Sequence, residues 1–96
     1  MLYHSTRSST CFVDSAQAVL EGLAPDGGLY MPQNIPALDW ASVLHGSSQE
    51  ISTAILSALL PDIPDMRQLV ANAYTGKFET EVLTPSVPVG ENTVLE

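Results

Sequence analysis

Ninety-six residues with eleven acids against three bases make one small acidic domain, of net charge −8, that buries roughly 60–65% of its unfolded surface. Arg7, Arg67 and Lys77 are too few and too scattered to grip a phosphate backbone or an anionic membrane surface, so no nucleic-acid or membrane partner is expected. The single cysteine, Cys11, rules out an internal disulfide and fits a reducing, cytoplasmic setting; no basic-then-apolar leader and no apolar run of bilayer-spanning length is present.

Leu2-Tyr3-His4-Ser5 alternates apolar and polar side chains and predicts a short strand. Ser5 to Thr10 is hydroxyl-rich, carries Arg7, and reads as a loop. A helix follows. Asp14 is a candidate N-cap with Gln17 at the capping-box position, and Val13 can pack against Ala18 as a staple. Ala16, Val19, Leu20 and Leu23 fall at helical spacing and predict one buried stripe. Gly22 supplies a left-handed stop. Pro25-Asp26-Gly27-Gly28 predicts a tight turn, because Pro presets φ, Asp can bond its own backbone two residues on, and Gly accepts positive φ. Leu29-Tyr30-Met31 reads as a strand closed by Pro32.

Leu38 to Leu44 predicts one or two helical turns capped by Asp39, with Trp40, Val43 and Leu44 turned inward, ended by His45-Gly46. The next helix has the clearest period: Ser47 as N-cap, Glu50 three residues on, then Ile51, Ala54, Ile55, Ala58 and Leu59, with Pro61 as the stop. A last helix is expected from Asp62 as cap, with Pro64 and Asp65 in its first turn, a stripe of Met66, Leu69, Val70 and Ala73, Tyr74 at the edge, and Gly76 at the end. From Phe78 onward no helical period survives; Pro85 and Pro88 hold Thr84 to Val89 extended or looped, and Thr93-Val94-Leu95 starts a strand. This tail is expected to be loosely held. The fold class is therefore α+β: a mostly helical small domain of about four helices on a minimal two- or three-stranded sheet. Its strands are Leu2–Ser5 and Leu29–Met31, with Thr93–Leu95 as the possible third.

Three stretches carry a family resemblance. Tyr3-His4-Ser5-Thr6-Arg7 is similar to the opening Y-x-S-T-R of the threonine synthase family. Gln17 to Pro32, ending in Gly22-Leu23-Ala24-Pro25-Asp26-Gly27-Gly28-Leu29-Tyr30-Met31-Pro32, resembles the run that follows it. Val94-Leu95-Glu96 resembles the strand that in the family leads into L-F-H-G-P-T and then F-K-D, where the cofactor lysine lies; Ile55-Leu56 and Ala73-Tyr74 match in order between them. The resemblance implies a parent enzyme that uses pyridoxal phosphate (PLP) to convert O-phospho-L-homoserine and water to L-threonine and phosphate. It implies that residues 1–96 are its N-terminal domain, packed on a downstream catalytic domain, binding no PLP and inactive alone. Lys77, the only lysine, lacks both the H-G-P-T context and a following Asp, and is expected to be a solvated charge at a helix end.

The candidate site residues are few. Ser5, Thr6 and Arg7 set hydroxyls beside a guanidinium, which suits a carboxylate or phosphate; the contact is either with an anion, substrate or interdomain, or a plain pairing of Arg7 with an acid or a carbonyl of this chain. Asp26, Gly27 and Gly28 are a structural turn whose N–H groups could also face an anion, without the helix start and lysine of a phosphate loop. Asp26 as a catalytic acid is a weaker reading. Cys11 reads as an inert small hydrophobe, and Trp40, Tyr30 and Tyr74 as packing residues. His4 and His45 lack metal-ligand spacing, and no metal is expected. No nucleophile–base pair suggests a complete small enzyme. The alternative to an enzyme's N-terminal domain is a free-standing acidic helical module that binds another protein.

Overall fold

The computed structural model describes residues 1–77, 82 and 84–95. In chain order these form β1 (Leu2–Ser5), β2 (Phe12–Asp14), α1 (Ser15–Glu21), β3 (Tyr30–Pro32), α2 (Trp40–Val43), α3 (Ser48–Leu59), α4 (Met66–Tyr74), β4 (Ser86–Val89) and β5 (Asn92–Leu95). The architecture is α+β, with four helices and two small antiparallel sheets among the described residues.

The first sheet has the order β2-β1-β3, with β1 in the middle. Tyr3 faces Val13 on one side and Pro32 on the other; His4 faces Phe12 and Met31. The third strand is thus Phe12–Asp14 and not the expected Thr93–Leu95. The loop after Ser5 is short enough to turn the chain straight back, with Ser8 N–H bonded to the Ser5 carbonyl at 3.2 Å, so β2 pairs before any distant segment can. Asn92–Leu95 pairs instead with Ser86–Val89 as a hairpin, turning at Gly90 with φ 60°. Pro88 sits in that two-stranded ribbon, where one side of each strand needs no ladder donor. Phe78, where the helical period ends in sequence, lies outside the described residues.

Strand alternation gives the sheet two faces. Tyr3 and Ser5, 7% and 6% exposed, lie on the face covered by α1. Leu2, Phe12 and Met31 lie on the other, with the His4 and Phe12 rings edge to face at 6.0 Å.

The start of α1 is fixed by its cap: Asp14 Oδ1 accepts the Gln17 N–H at 2.8 Å. The reciprocal half of a capping box is not made, because the Gln17 amide reaches forward to Glu21 at 2.7 Å. Gly22 ends the helix at φ 74°, its N–H on the Ala18 carbonyl. The expected buried stripe is corrected. Ser15 and Ala18 are the buried residues of α1, whereas Val19, Leu20 and Leu23 are 55%, 86% and 61% exposed. The small pair lets the helix approach the strands closely, and three short strands can cover only one side of it.

In α2 the Asp39 side chain makes no cap bond; Ser42 Oγ instead donates to the Asp39 carbonyl at 2.9 Å. Trp40 and Leu44 are exposed, and Val43 is half-buried, since a four-residue helix has room to turn in little more than one side chain. Ser47 caps α3 by accepting the Glu50 N–H at 3.2 Å, and Ile51, Ala54, Ile55, Ala58 and Leu59 are all half-buried. Helix α3 packs on α4, whose Val70 is 3% exposed, while Leu69 and Ala73 face outward.

Helix α4 starts four residues later than Asp62. Its N-cap position is Asp65, in left-handed conformation at φ 58° and without a side-chain cap bond. Asp62 is occupied elsewhere. Its Oδ2 accepts the Ser15 N–H at 2.9 Å, and its Oδ1 lies 3.4 Å from the Met1 amine. The Ser15 hydroxyl is wholly buried beside this carboxylate, without a hydrogen bond of good geometry. Across the same junction Tyr3 Oη donates to the Leu59 carbonyl. These bonds join the sheet and α1 to the α3–α4 pair.

The Ser15 N–H, followed by the Met1 amine, holds the Asp62 carboxyl below its usual 3.8. A depressed carboxyl stabilises the fold above its unfolded value and loses that contribution as pH falls through the folded one. Asp62→Ala is expected to lower the melting temperature by a few degrees at neutral pH. Asp62→Asn, which keeps an acceptor for Ser15, is expected to fall less and to flatten the decline in melting temperature below pH about 4. Circular dichroism melts across an acid series measure both.

Candidate functional site: the Ser5–Asp26 junction

Strand β1 ends at Ser5, and the next two residues turn away from the sheet. Ser5 Oγ donates to Asp26 Oδ1 at 2.6 Å and accepts the Arg7 N–H at 3.0 Å. The same Asp26 oxygen accepts the Gly28 N–H at 2.9 Å, the bond of an Asx turn. Thr6 and Leu29 exchange two bonds, Thr6 N–H to the Leu29 carbonyl at 2.8 Å and Leu29 N–H to Thr6 Oγ1 at 3.0 Å. Arg7 Nη1 donates to the Asp26 carbonyl at 3.0 Å. Ala24 closes the base of the turn, its N–H on the Gly28 carbonyl and its carbonyl taking the Gly27 N–H. Two stretches that the sequence presents separately, Ser5-Thr6-Arg7 and Asp26-Gly27-Gly28, are one hydrogen-bonded unit.

The two glycines serve different needs. Gly27 takes φ 81°, as its turn position requires. Gly28 is needed for close approach: a Cβ there would overlap Ser5 Oγ and stand 3.0 Å from Thr6 Oγ1. The sequence reading assigned positive φ to the pair. The reason for the second glycine is Ser5, 23 positions earlier, and nothing in the local pattern signals it.

The Ser5 hydroxyl, then the Gly28 N–H, then the Arg7 charge pull the Asp26 carboxyl below its usual range. Beside the junction a cleft of about 430 Å³ is lined by Ser5, Cys11, Gln17, Glu21, Asp26 and Tyr30, among others. On its wall Tyr30 Oη donates to Glu21 Oε2, tying the end of α1 to β3. That bond, with Gln17 second, lowers the Glu21 carboxyl, and it pushes the Tyr30 phenol up to about 12. The Tyr30–Glu21 tie was missed in sequence, where Tyr30 reads only as packing; nine residues with a helix end and a turn between them carry no recognisable spacing.

The cleft thus holds two ionised carboxylates and a protonated phenol. Among the described residues no group of three or more His, Cys, Asp or Glu side chains is placed to hold a metal ion, and no helix is long and apolar enough to cross a membrane. His4 Nδ1 lies 2.8 Å from the Ser5 carbonyl; Cys11 and His45 are exposed. Lys77 is exposed beyond α4. It lines neither this cleft nor a second one of about 440 Å³, walled by Val19, Leu29, Met31 and Leu60 among others.

A small α+β domain, its first strand pinned to a Pro-Asp-Gly-Gly turn, is the class this geometry defines. The family model described as the threonine synthase N terminus matches residues 2–74, and the chain belongs to that family. It is 36% identical to the threonine synthase of Corynebacterium glutamicum, over 99% of this chain and 22% of that protein. The crystal structure of threonine synthase from yeast has a TM-score of 0.75 at 34% identity, covering 90% of this chain and 18% of that one. PLP-bound threonine synthase from Brucella melitensis has a TM-score of 0.77 at 31% identity, covering 100% and 22%. The chain spans about a fifth of the length of the relatives it matches.

Gly28→Ala is expected to destabilise the fold by about 1–3 kcal/mol, because the buried methyl group forces Ser5 off Asp26; the shift in urea midpoint measures it. Ultraviolet titration should show one of the three tyrosines ionising at about 12. Glu21→Gln should bring that tyrosine back toward 10. With the phenol raised, the stabilisation this bond gives is complete below pH 10 and is lost as pH rises through about 12.

Proposed function

We propose that this chain is the N-terminal domain of a threonine synthase that converts O-phospho-L-homoserine and water to L-threonine and phosphate in the cytoplasm. The observation that carries the reading is the family match through residues 2–74, with whole threonine synthases among the proteins that share its sequence and its fold. PLP supplies the electron sink that such a β,γ-replacement needs, and its lysine belongs to a downstream catalytic domain. The role of residues 1–96 is to pack on that domain, without chemistry of their own.

Within this reading Arg7 is the contact residue of the Ser5-Thr6-Arg7 loop. A guanidinium carries five donors. The Arg7 side chain is exposed and makes one hydrogen bond among the described residues, to the Asp26 carbonyl. The junction holds its base in place, so the remaining donors are free to meet a carboxylate of the catalytic domain.

Sequencing the source gene past the codon for Glu96, then assaying its purified product, tests the function. An open frame running into His-Gly-Pro-Thr and Phe-Lys-Asp, with PLP-dependent release of phosphate and threonine from O-phospho-L-homoserine, is the expected result. A stop codon at that point, or a product without this activity, would overturn the reading in favour of an acidic protein-binding module.

A further inference from the structure

Helix α1 carries two apolar faces of different size. At about 100° per residue, Ser15 and Ala18 share the face that meets the sheet, while Val19 and Leu20 lie on the arc beside and opposite it. Val19 is 55% exposed and Leu20 86%. Beyond Gly22 the surface continues through Leu23, which bridges to Leu29; these two are 61% and 60% exposed. The second cleft runs along this side, with Val19, Leu29 and Met31 in its walls. Four large exposed apolar side chains, Val19, Leu20, Leu23 and Leu29, on the helix and the turn that follows it are the kind of exposed apolar surface that marks a contact with another protein surface. The helical period of the sequence marks part of the same stripe as a buried one.

We infer that this face, Val19, Leu20, Leu23 and Leu29, docks on the catalytic domain of the parent threonine synthase. The inference rests on the function proposed above and adds to it the surface that makes the contact. In the Brucella melitensis enzyme the matching fold accounts for 22% of the chain, so in such a protein about four-fifths of the residues are available to cover it. A second copy of this chain is a poor occupant, since each copy brings a net charge of −8 and like charge opposes self-association. A charged peptide is also a poor fit, because the four side chains are apolar and the nearby carboxylate, Glu21, is engaged by Tyr30 and Gln17. The far face of the sheet is the competing surface. Its Leu2, Phe12 and Met31 are 46%, 42% and 46% exposed, and Phe12 already packs on His4.

Hydroxyl-radical footprinting of the full-length gene product against the 96-residue chain tests the assignment, with Ile35, 83% exposed, read out alongside. Leu20 and Leu23 are expected to be oxidised several-fold more slowly in the full-length product. Leu20 is already so exposed in the short chain that partial unfolding there would barely raise its rate. Equal rates for Leu20 and Leu23 in the two forms would overturn the proposal, as would protection confined to Leu2 and Phe12. An intact mass of 10.2 kDa for the gene product, or a longer product that forms no threonine, would instead remove the function on which the proposal rests.

Discussion

One hydroxyl sits where the chain's first strand and its main turn meet. Ser5 Oγ gives its proton to Asp26 and takes one from the Arg7 backbone, while the same Asp26 oxygen takes the Gly28 N–H. The polar group of a residue only 6% exposed must have its donor and acceptor capacity satisfied or it destabilises the fold, so this network is demanded as soon as Ser5 lies on the inner face of β1. It sets the path of the chain on both sides. It fixes where β1 stops, aims Arg7 across the turn, and brings Leu29 against Thr6 so that β3 begins in register with Ser5 opposite Tyr30. Gly28 has no side chain because that space belongs to the Ser5 hydroxyl.

The core around this junction is thin. Tyr3, Ala18, Ala24 and Val70 are the buried apolar side chains among the described residues, which is a small hydrophobic contribution for a domain of this length. Polar ties take up part of the task of holding the halves together. Asp62 accepts from Ser15 at the start of α1, and Tyr3 donates to the last turn of α3. Both bonds span more than forty residues, and both run from the sheet-and-α1 half to the α3–α4 half. Asp62 does this instead of capping α4, and the left-handed Asp65 starts that helix. The local capping preference was outcompeted by a tertiary acceptor.

Exposure of the larger stripe of α1 follows from the same economy of surface. A three-stranded sheet can cover one face of a seven-residue helix, and it covers the small one, where Ser15 and Ala18 allow close contact. Val19, Leu20 and Leu23 are left outside. The domain matches about a fifth of its relatives' length. At the Ser5–Asp26 junction the Asp26 carboxylate is committed to the Ser5 hydroxyl and the Gly28 N–H, and beside it the Tyr30 phenol is committed to Glu21.

The sequence by itself determined the elements and their limits wherever the cause is local. The caps Asp14 and Ser47, the stops Gly22 and Gly76, the Pro25–Gly28 turn and the strand at Leu2–Ser5 each depend on residues within four positions of one another, and so they are legible from the chain alone. The family was legible too, because the resemblance lies in three uninterrupted runs. What only the tertiary structure decided is which elements meet. Periodicity states that a stripe is apolar without stating what will cover it, so the outward direction of Val19 and Leu20 could not be read from spacing. Pairing of Phe12–Asp14 with β1, the use of Asp62 by Ser15, the hold of Glu21 on Tyr30 and the union of Ser5 with Asp26 each join groups brought together only after the chain has folded back. A hydrogen bond carries no record in sequence of how far away its partner lies.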